Sequence, residues 1–358
     1  MTQDRDLYVR PVGLYRSAAA AEDEGGTAWG GMQLAGGWLE FSAIEVIERE
    51  GRSVRRNLAT LGAYLERDWG RRANAATELF QNLTEPRRRI AGLALDRPRI
   101  MGIVNVTPDS FSDGGALTTV EAAVTHARAL EAEGADILDI GGESTRPGSD
   151  PVSEADELAR VIPVIEALAG TTDALISIDT RKAAVMTAAA AAGCDIINDV
   201  SALSYDDEAL EAAAATALPV ILMHAQGDPK TMQDDPTYDD VVTDVFDYLA
   251  GRIAACDDAG IPSHRIIADP GIGFGKTLAH NLALMRSLSL FHGLGVPLLL
   301  GASRKGFIGK LSGVEVAAER QFGSVAAALA GAASGVQIVR VHDVAETRQA
   351  FDVWNAVT

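Results

Sequence analysis

From about residue 98 onward the chain alternates between two rhythms of apolar and polar positions. Short apolar, β-branched runs recur as "IMGIVNV" (100–106), "ADILDIG" (135–141), "ALISIDT" (174–180), "CDIINDV" (194–200), "LPVILMH" (218–224), "RIIADPG" (265–271), "VPLLLGA" (296–302) and "VQIVRVH" (336–342). Between them, Ala-rich stretches such as 119–133, 153–169, 182–192, 238–259 and 318–333 carry helical spacing. The runs suit strands of a parallel sheet, and the stretches suit the helices that cover it. Eight βα units in about 260 residues match the count and length of a closed (β/α)8 TIM barrel, whereas open doubly wound sheets have fewer strands.

Residues 1–97 read differently, as a smaller N-terminal unit with helices preceding a barrel at 98–358. Val54, Leu58, Leu61, Leu65 and Trp69 are spaced by threes and fours, which predicts an amphipathic helix over 52–69, with a second helix over 71–84. The triple arginine at 87–89 is read as a solvated face or linker. No chemistry is assigned to this unit.

Composition narrows the class. Apolar residues make up 47% of the 358 positions and charged residues 23%, which is ordinary for a globular protein. No apolar run approaches the roughly 20 residues of a membrane span, and "MTQDRDLYVR" lacks the apolar core of a signal peptide, so a cytoplasmic protein is expected. The net charge of −19 argues against nucleic-acid and membrane partners. Its excess acid lies beyond residue 98, because the leading part holds 14 Arg, no Lys and 14 acids. Cys194 and Cys256 are too isolated for a disulfide framework or a zinc site and are read as packing residues.

In a barrel of this kind, chemistry belongs at the C-terminal ends of the strands. Those positions hold Asn105, Glu143 to Arg146, Asp179, Asn198, His224, Asp269, Ser303 to Lys305, and Arg340 with His342. Turn residues alone explain any one of them, but two carboxylates, two amides, a lysine and an Arg-x-His on different strands together describe a site. Asp179, Asn198, Asp269 and Lys305 suit the edge of a flat heterocycle with adjoining N–H and C=O groups. Arg340 and His342 flank Val341 at period two, so both face one side, where they can bind phosphate oxygens. Asn105 is an oxygen ligand suited to a Mg²⁺ ion carried by a diphosphate. "GIGFGKT" (271–277) lacks the phosphate-loop spacing and is read as a glycine-rich turn close to a ligand. His126, His264, His280 and His292 have no partner ligands at metal spacing and are read as surface or packing residues.

The segments "NVTPDSFSDGG" (105–115), "DIGGESTRPG" (139–148), "SIDT" (177–180), "INDV" (197–200), "MHAQGDPKTMQ" (223–233), "DPGIGFGKT" (269–277), "GASRKGFIG" (301–309) and "RVHDV" (340–344) resemble, in order, those of the dihydropteroate synthase family. The resemblance implies condensation of 6-hydroxymethyl-7,8-dihydropterin diphosphate with 4-aminobenzoate, giving 7,8-dihydropteroate and diphosphate, with Mg²⁺ as cofactor and a possible homodimer. It implies pterin contacts at Asp179, Asn198, Asp269 and Lys305, a metal ligand at Asn105, and a diphosphate grip at Arg340 and His342 helped by Thr145. Phe274, Ser303 and Val341 join the substrate-binding set. Asp109, Phe111, Asp113, Thr145, Arg146 and Pro147 fall in two loops that, in the family, close over the pterin and form the aminobenzoate pocket; Asp109, Phe111, Asp113, Arg146 and Lys305 are the expected catalytic residues. The chain departs from the family at Gly306, where some members carry Ser, and at Ala225, where a longer residue is common. Two other readings compete, a methyltetrahydrofolate methyltransferase barrel and a non-catalytic pterin-binding paralogue. The first leaves the "TPDSFSDGG" loop and the Arg-x-His pair unexplained, and the second leaves unexplained why the whole residue set is present.

Overall fold

The computed structural model describes residues 6–16, 30–106, 119–144, 149–227 and 231–358. The N-terminal unit is an antiparallel sheet of β1 (Leu7–Arg16), β2 (Met32–Gln33), β3 (Leu39–Glu50) and β4 (Ser53–Thr60), with β3 central, followed by helices α1 (Leu61–Glu66) and α2 (Ala73–Thr84). The helix expected over 52–69 is corrected: residues 53–60 form a strand whose Val54 to Thr60 pair with Arg49 to Ala43 of β3. Positions 54 and 58 share a face in a strand as well as in a helix, so their spacing alone does not decide. The long buried β3 supplied a ladder partner, and pairing prevailed. The second helix starts at Ala73, after a 3-10 turn at Gly70–Arg72.

Each of the eight apolar runs contains a strand: β5 (Arg99–Asn105), β6 (Ile137–Gly141), β7 (Leu175–Asp179), β8 (Ile196–Asp199), β9 (Val220–Met223), β10 (Ile266–Asp269), β11 (Leu299–Leu300) and β12 (Ile338–Val341). They pair in parallel in the order β10-β9-β8-β7-β6-β5-β12-β11, and a bridge between Ala268 and Leu298 closes the ring. Parallel neighbours need crossovers. These are α3 (Thr119–Ala132), α4 (Glu154–Leu168), α5 (Ala183–Ala192), α6 (Ala209–Thr216), α7 (Val241–Asp258), α8 (Leu278–Arg286), α9 (Gly306–Ser312) and α10 (Gln321–Ala332), with α11 (Val344–Val357) following β12. Among the described residues no helix is long and apolar enough to cross a membrane.

Period-two alternation sorts the barrel interior into layers. Met101, Ile137, Ile196, Ile221, Ile267, Leu299 and Ile338 form one buried apolar cluster with Leu175 packed on it, a residue from every strand, and Ile90 and Leu95 join it from the segment before β5. Two residues further along each strand stand Ile103, Asp139, Ser177, Asn198, Met223, Asp269, Gly301 and Arg340. An apolar floor therefore carries a largely polar layer, whose groups have no bulk water beneath them and must satisfy one another.

The N-terminal unit shares its apolar core with the barrel helices rather than standing apart. Tyr8 meets Phe246 edge-on at 5.4 Å, Phe246 packs on Phe291, and Ser289 donates to the Pro11 carbonyl at 2.9 Å. Arg87 is corrected from a solvated position: it donates to the carbonyls of Asn82 and His292, and burial pushes its pKa down to about 10, while Arg88 and Arg89 are exposed. Cys194 and Cys256 are buried free thiols. Tyr8→Ala should cost about 3–4 kcal/mol in urea unfolding of the whole chain, because it removes a fully buried ring from the shared core. A cost below about 1 kcal/mol would show that the two regions do not depend on each other.

Candidate active site

The polar layer is organised by Arg340 on β12. Its Nε donates to Asp139 Oδ2 at 2.6 Å, and a terminal nitrogen donates to Asp179 Oδ2 at 2.7 Å. Asn198 Nδ2 approaches the same Asp139 carboxylate at 3.2 and 3.4 Å. One cation therefore serves two buried carboxylates. Burial pushes the Asp179 carboxyl up to about 7; Arg340 opposes the rise, and Asp139 adds to it. Burial sets the direction: the trio carries one excess negative charge, so a single guanidinium shared by two carboxylates does not offset the cost of desolvating Asp179. Ser177, which stands in this layer, has a buried hydroxyl with no partner among the described residues.

The turn after β10 forms the second part. Asp269 accepts from the Gly271 N–H at 2.7 Å, and burial raises its pKa against the pull of Lys305. Gly271, Gly273 and Gly275 all have positive φ, and a Cβ on Gly271 would strike the His224 carbonyl oxygen, so glycine is required there. Lys276 fills the hollow of the turn, donating to the carbonyls of Gly271 and Phe274 and to His224 Nδ1 at 2.9 Å. Burial holds His224 down to about 2, so its neutral ring can accept that bond. Lys305, the residue before α9, donates to the Ile272 carbonyl, and its Nζ lies 4.6 Å from the centre of the Phe274 ring. Burial lowers its pKa to about 8, with Asp269 opposing.

These groups border a cavity of about 670 Å³, lined by Asn105, Glu143, Asp179, Phe274, Ser303, Lys305, Arg340 and His342 among others. Ser303 Oγ lies 3.0 Å from His342 Nδ1 and accepts from the His342 N–H, which fixes the imidazole. Arg304 and Arg320 complete a positive wall: Arg304 pairs with Asp343, whereas the bonds from Arg320 go to the neutral carbonyls of Arg304, Val314 and Glu315. Glu143, also in the lining, is clamped by Lys182 at 2.8 Å and Arg181 at 3.0 Å. These charges hold its pKa below the ordinary value against the contrary effect of burial.

Of the residues singled out in the sequence, Asn105, Asp179, Phe274, Ser303, Lys305, Arg340 and His342 line one cavity. Asn198 joins through Asp139, and Asp269 through the Gly301 backbone, where an added Cβ would lie 3.7 Å from both Asp269 Oδ2 and Lys305 Nζ. Val341 differs: its side chain is buried in the core outside the barrel, since alternation turns it away from the face of Arg340 and His342. His224 is a packing partner of Lys276 beneath the turn. Asp109, Phe111, Asp113, Thr145, Arg146 and Pro147 lie outside the described residues. Sequence reasoning passed over Asp139, Lys276 and Arg320. Asp139 was legible, standing two residues before Gly141 on the inward face of its run; Lys276 and Arg320 gave no local signal.

The family described as pterin binding enzyme matches residues 101–342. A dihydropteroate synthase of Neisseria meningitidis serogroup B is 56% identical over 271 residues, covering 74% of this chain and 94% of the relative. The solved structure of the Xanthomonas albilineans dihydropteroate synthase with 4-aminobenzoic acid superposes with a TM-score of 0.71 at 55% identity, over 75% of this chain and 96% of that one. A structure of that organism's enzyme in complex with 7,8-dihydropteroate gives 0.68 at 52% identity, over 74% and 95%.

Because the folded-state pKa of Asp179 lies above its ordinary value, its protonated form stabilises the fold; that contribution is complete below about pH 4 and is lost as pH rises through about 7. Asp179→Asn cannot titrate, so its stability should gain on the parent by at least about 1 kcal/mol between pH 5 and pH 8 in denaturant unfolding. Parallel profiles would contradict the charge balance given for the trio.

Proposed function

We infer the reaction from one premise: this chain belongs to the dihydropteroate synthase family of pterin-binding enzymes. The reaction is the condensation of 6-hydroxymethyl-7,8-dihydropterin diphosphate with 4-aminobenzoate to 7,8-dihydropteroate and diphosphate, a step of folate biosynthesis. The observation that carries the residue assignments is the polar layer above an apolar floor, with an acceptor, an amide and two cations within one barrel mouth.

In this reading Asp269 accepts from the ring amino and N3–H groups of the pterin. The Gly271 N–H fixes one of its oxygens, and Lys305 stands over the turn to donate to the ring's carbonyl side. Asn198 and Asp179 complete the ring contacts. Asp139 and Asp179 already hold the Arg340 guanidinium, so it is oriented before substrate arrives, and no reorganisation is needed when negative charge develops on the leaving diphosphate. His342, fixed by Ser303, lines the same cavity as Arg320, whose bonds among the described residues go to carbonyls. The reacting methylene is attached to an electron-rich ring, so diphosphate can depart ahead of attack, and the neutral aromatic amine needs no strong general base. Asp109, Phe111, Asp113, Thr145, Arg146 and Pro147 take their roles in lid closure and the aminobenzoate pocket from the motif resemblance alone.

Mg²⁺ fits the donor set. Among the described residues no group of three or more His, Cys, Asp or Glu could hold a metal alone, while Asn105 offers a single amide oxygen beside Arg340 and His342. One protein oxygen plus diphosphate and water is a pattern Mg²⁺ accepts. When bound, the ion would offset charge on the departing diphosphate. A cytoplasmic location and a homodimer are further proposals that rest on the family.

Diphosphate release with both substrates and Mg²⁺ tests the reaction directly, and its absence would reject it. Asp269→Asn should lower kcat/KM for the pterin substrate by at least about 100-fold, since an amide N–H would face donors; near-normal turnover would remove Asp269 from the site. Asn105→Ala should raise the Mg²⁺ concentration needed for half-maximal rate about tenfold, and an unchanged requirement would place the metal elsewhere. Sulfonamides should compete with 4-aminobenzoate in steady-state kinetics, and a noncompetitive pattern would contradict a shared pocket.

A further inference from the structure

The aligned regions of the relatives already span 94–96% of their own length, which leaves no room in them for a counterpart of residues 6–98. That unit nevertheless reaches the site through a continuous set of contacts. Asp239 and the N-cap Asp240 lead into α7, and Asp244 and Asp247 stand in its first two turns. The positive end of a helix favours such acids, but their mutual repulsion does not vanish. The β3–β4 hairpin answers with three arginines. Arg49 donates to Asp244 Oδ1 at 2.7 Å and Thr243 Oγ1 at 3.2 Å, and stands 3.5 Å from Asp247; Arg56 pairs with Asp240 at 2.9 Å and Arg52 with Asp239 at 3.2 Å.

Asp244 passes this anchorage on. Its other oxygen accepts from the backbone N–H groups of Asp239 at 2.9 Å and Asp240 at 3.2 Å, so the carboxylate that Arg49 holds also fixes the chain leading into α7. Tyr238, the next residue back, donates its hydroxyl to the Gly275 carbonyl at 2.7 Å and sets its ring edge-on to His280. Gly275 closes the turn whose Ile272 carbonyl accepts from Lys305 and whose Phe274 ring faces Lys305 Nζ.

We propose that Arg49 is a positioning residue: through Asp244 and Tyr238, the N-terminal sheet sets the Gly271–Lys276 turn against Lys305. Only the kinetic consequence rests on the reaction given above. The full-length parent, Arg49→Gln, Arg49→Lys, Tyr238→Phe and the double variant Arg49→Gln with Tyr238→Phe are compared by amide hydrogen exchange over 271–276 and by steady-state kinetics. Exchange in that turn should quicken about fivefold in Arg49→Gln and in Tyr238→Phe, and no further in the double variant, because both cut one route. KM for the pterin substrate should rise about fivefold while kcat stays within about twofold, and Arg49→Lys should recover most of both. Exchange unchanged in the turn, quickened equally throughout the chain, or additive in the double variant would overturn the proposal. Should Arg49→Gln not fold, Asp244→Asn replaces it, since the amide keeps an acceptor for the backbone and loses the charge that Arg49 holds. A parent without turnover would reject the reaction, and the exchange comparison would still decide the positioning.

Discussion

A single guanidinium sets the character of this barrel. Arg340 bonds Asp139 and Asp179 across three strand ends, above a floor formed by one apolar side chain from each strand. Removing one partner from such a buried arrangement costs about 3–5 kcal/mol, yet replacing the whole arrangement with apolar residues is often neutral or stabilising. Stability alone therefore does not account for a charged layer where alternation could have placed another apolar one. Readiness for a polar guest does. Carboxylates, an amide and cations oriented before binding give up little when the substrate arrives, and they act in surroundings where water does not screen them.

The fold was legible where two signals agreed. Each apolar run was β-branched and flanked by helical stretches, so existence and order of the eight strands followed from the pattern, and the inward positions two residues apart brought Asp179, Asn198, Asp269 and Arg340 within reach of one another. Legibility ended where tertiary context decides. Val54 and Leu58 fit a helix or a strand equally well, and only the presence of β3 settles which. Val341 follows from the same alternation as its neighbours: the rule that turns Arg340 inward turns the Val341 side chain into the core outside the barrel. Lys276 is an exposed residue by type and a buried one in fact, because four acceptors converge on its Nζ in a hollow that glycines create.

The leading unit shows how composition becomes structure. Its basic residues are all arginines, and several of them leave their own sheet to meet carboxylates or carbonyls of the barrel: Arg49 and Arg56 at α7, Arg10 at the Arg286 carbonyl, and Arg16 at Asn355. A forked, always-charged donor suits contacts that are half buried, where a lysine would bind as a point charge. The acids at the start of α7 and the arginines of the β3–β4 hairpin thus form one charged contact, beside the shared apolar core of Tyr8, Phe246 and Phe291. The same interface lies a few bonds from the turn that carries Phe274.

The most direct test of the central claim is a crystal structure with a dihydropterin diphosphate analogue. The ring should lie in the polar layer, with Asp269 within about 3 Å of the ring's amino group and the Arg340–Asp139 contact kept. A ring bound outside the barrel mouth, or one seated there with Asp269 and Lys305 making no contact to it, would contradict it.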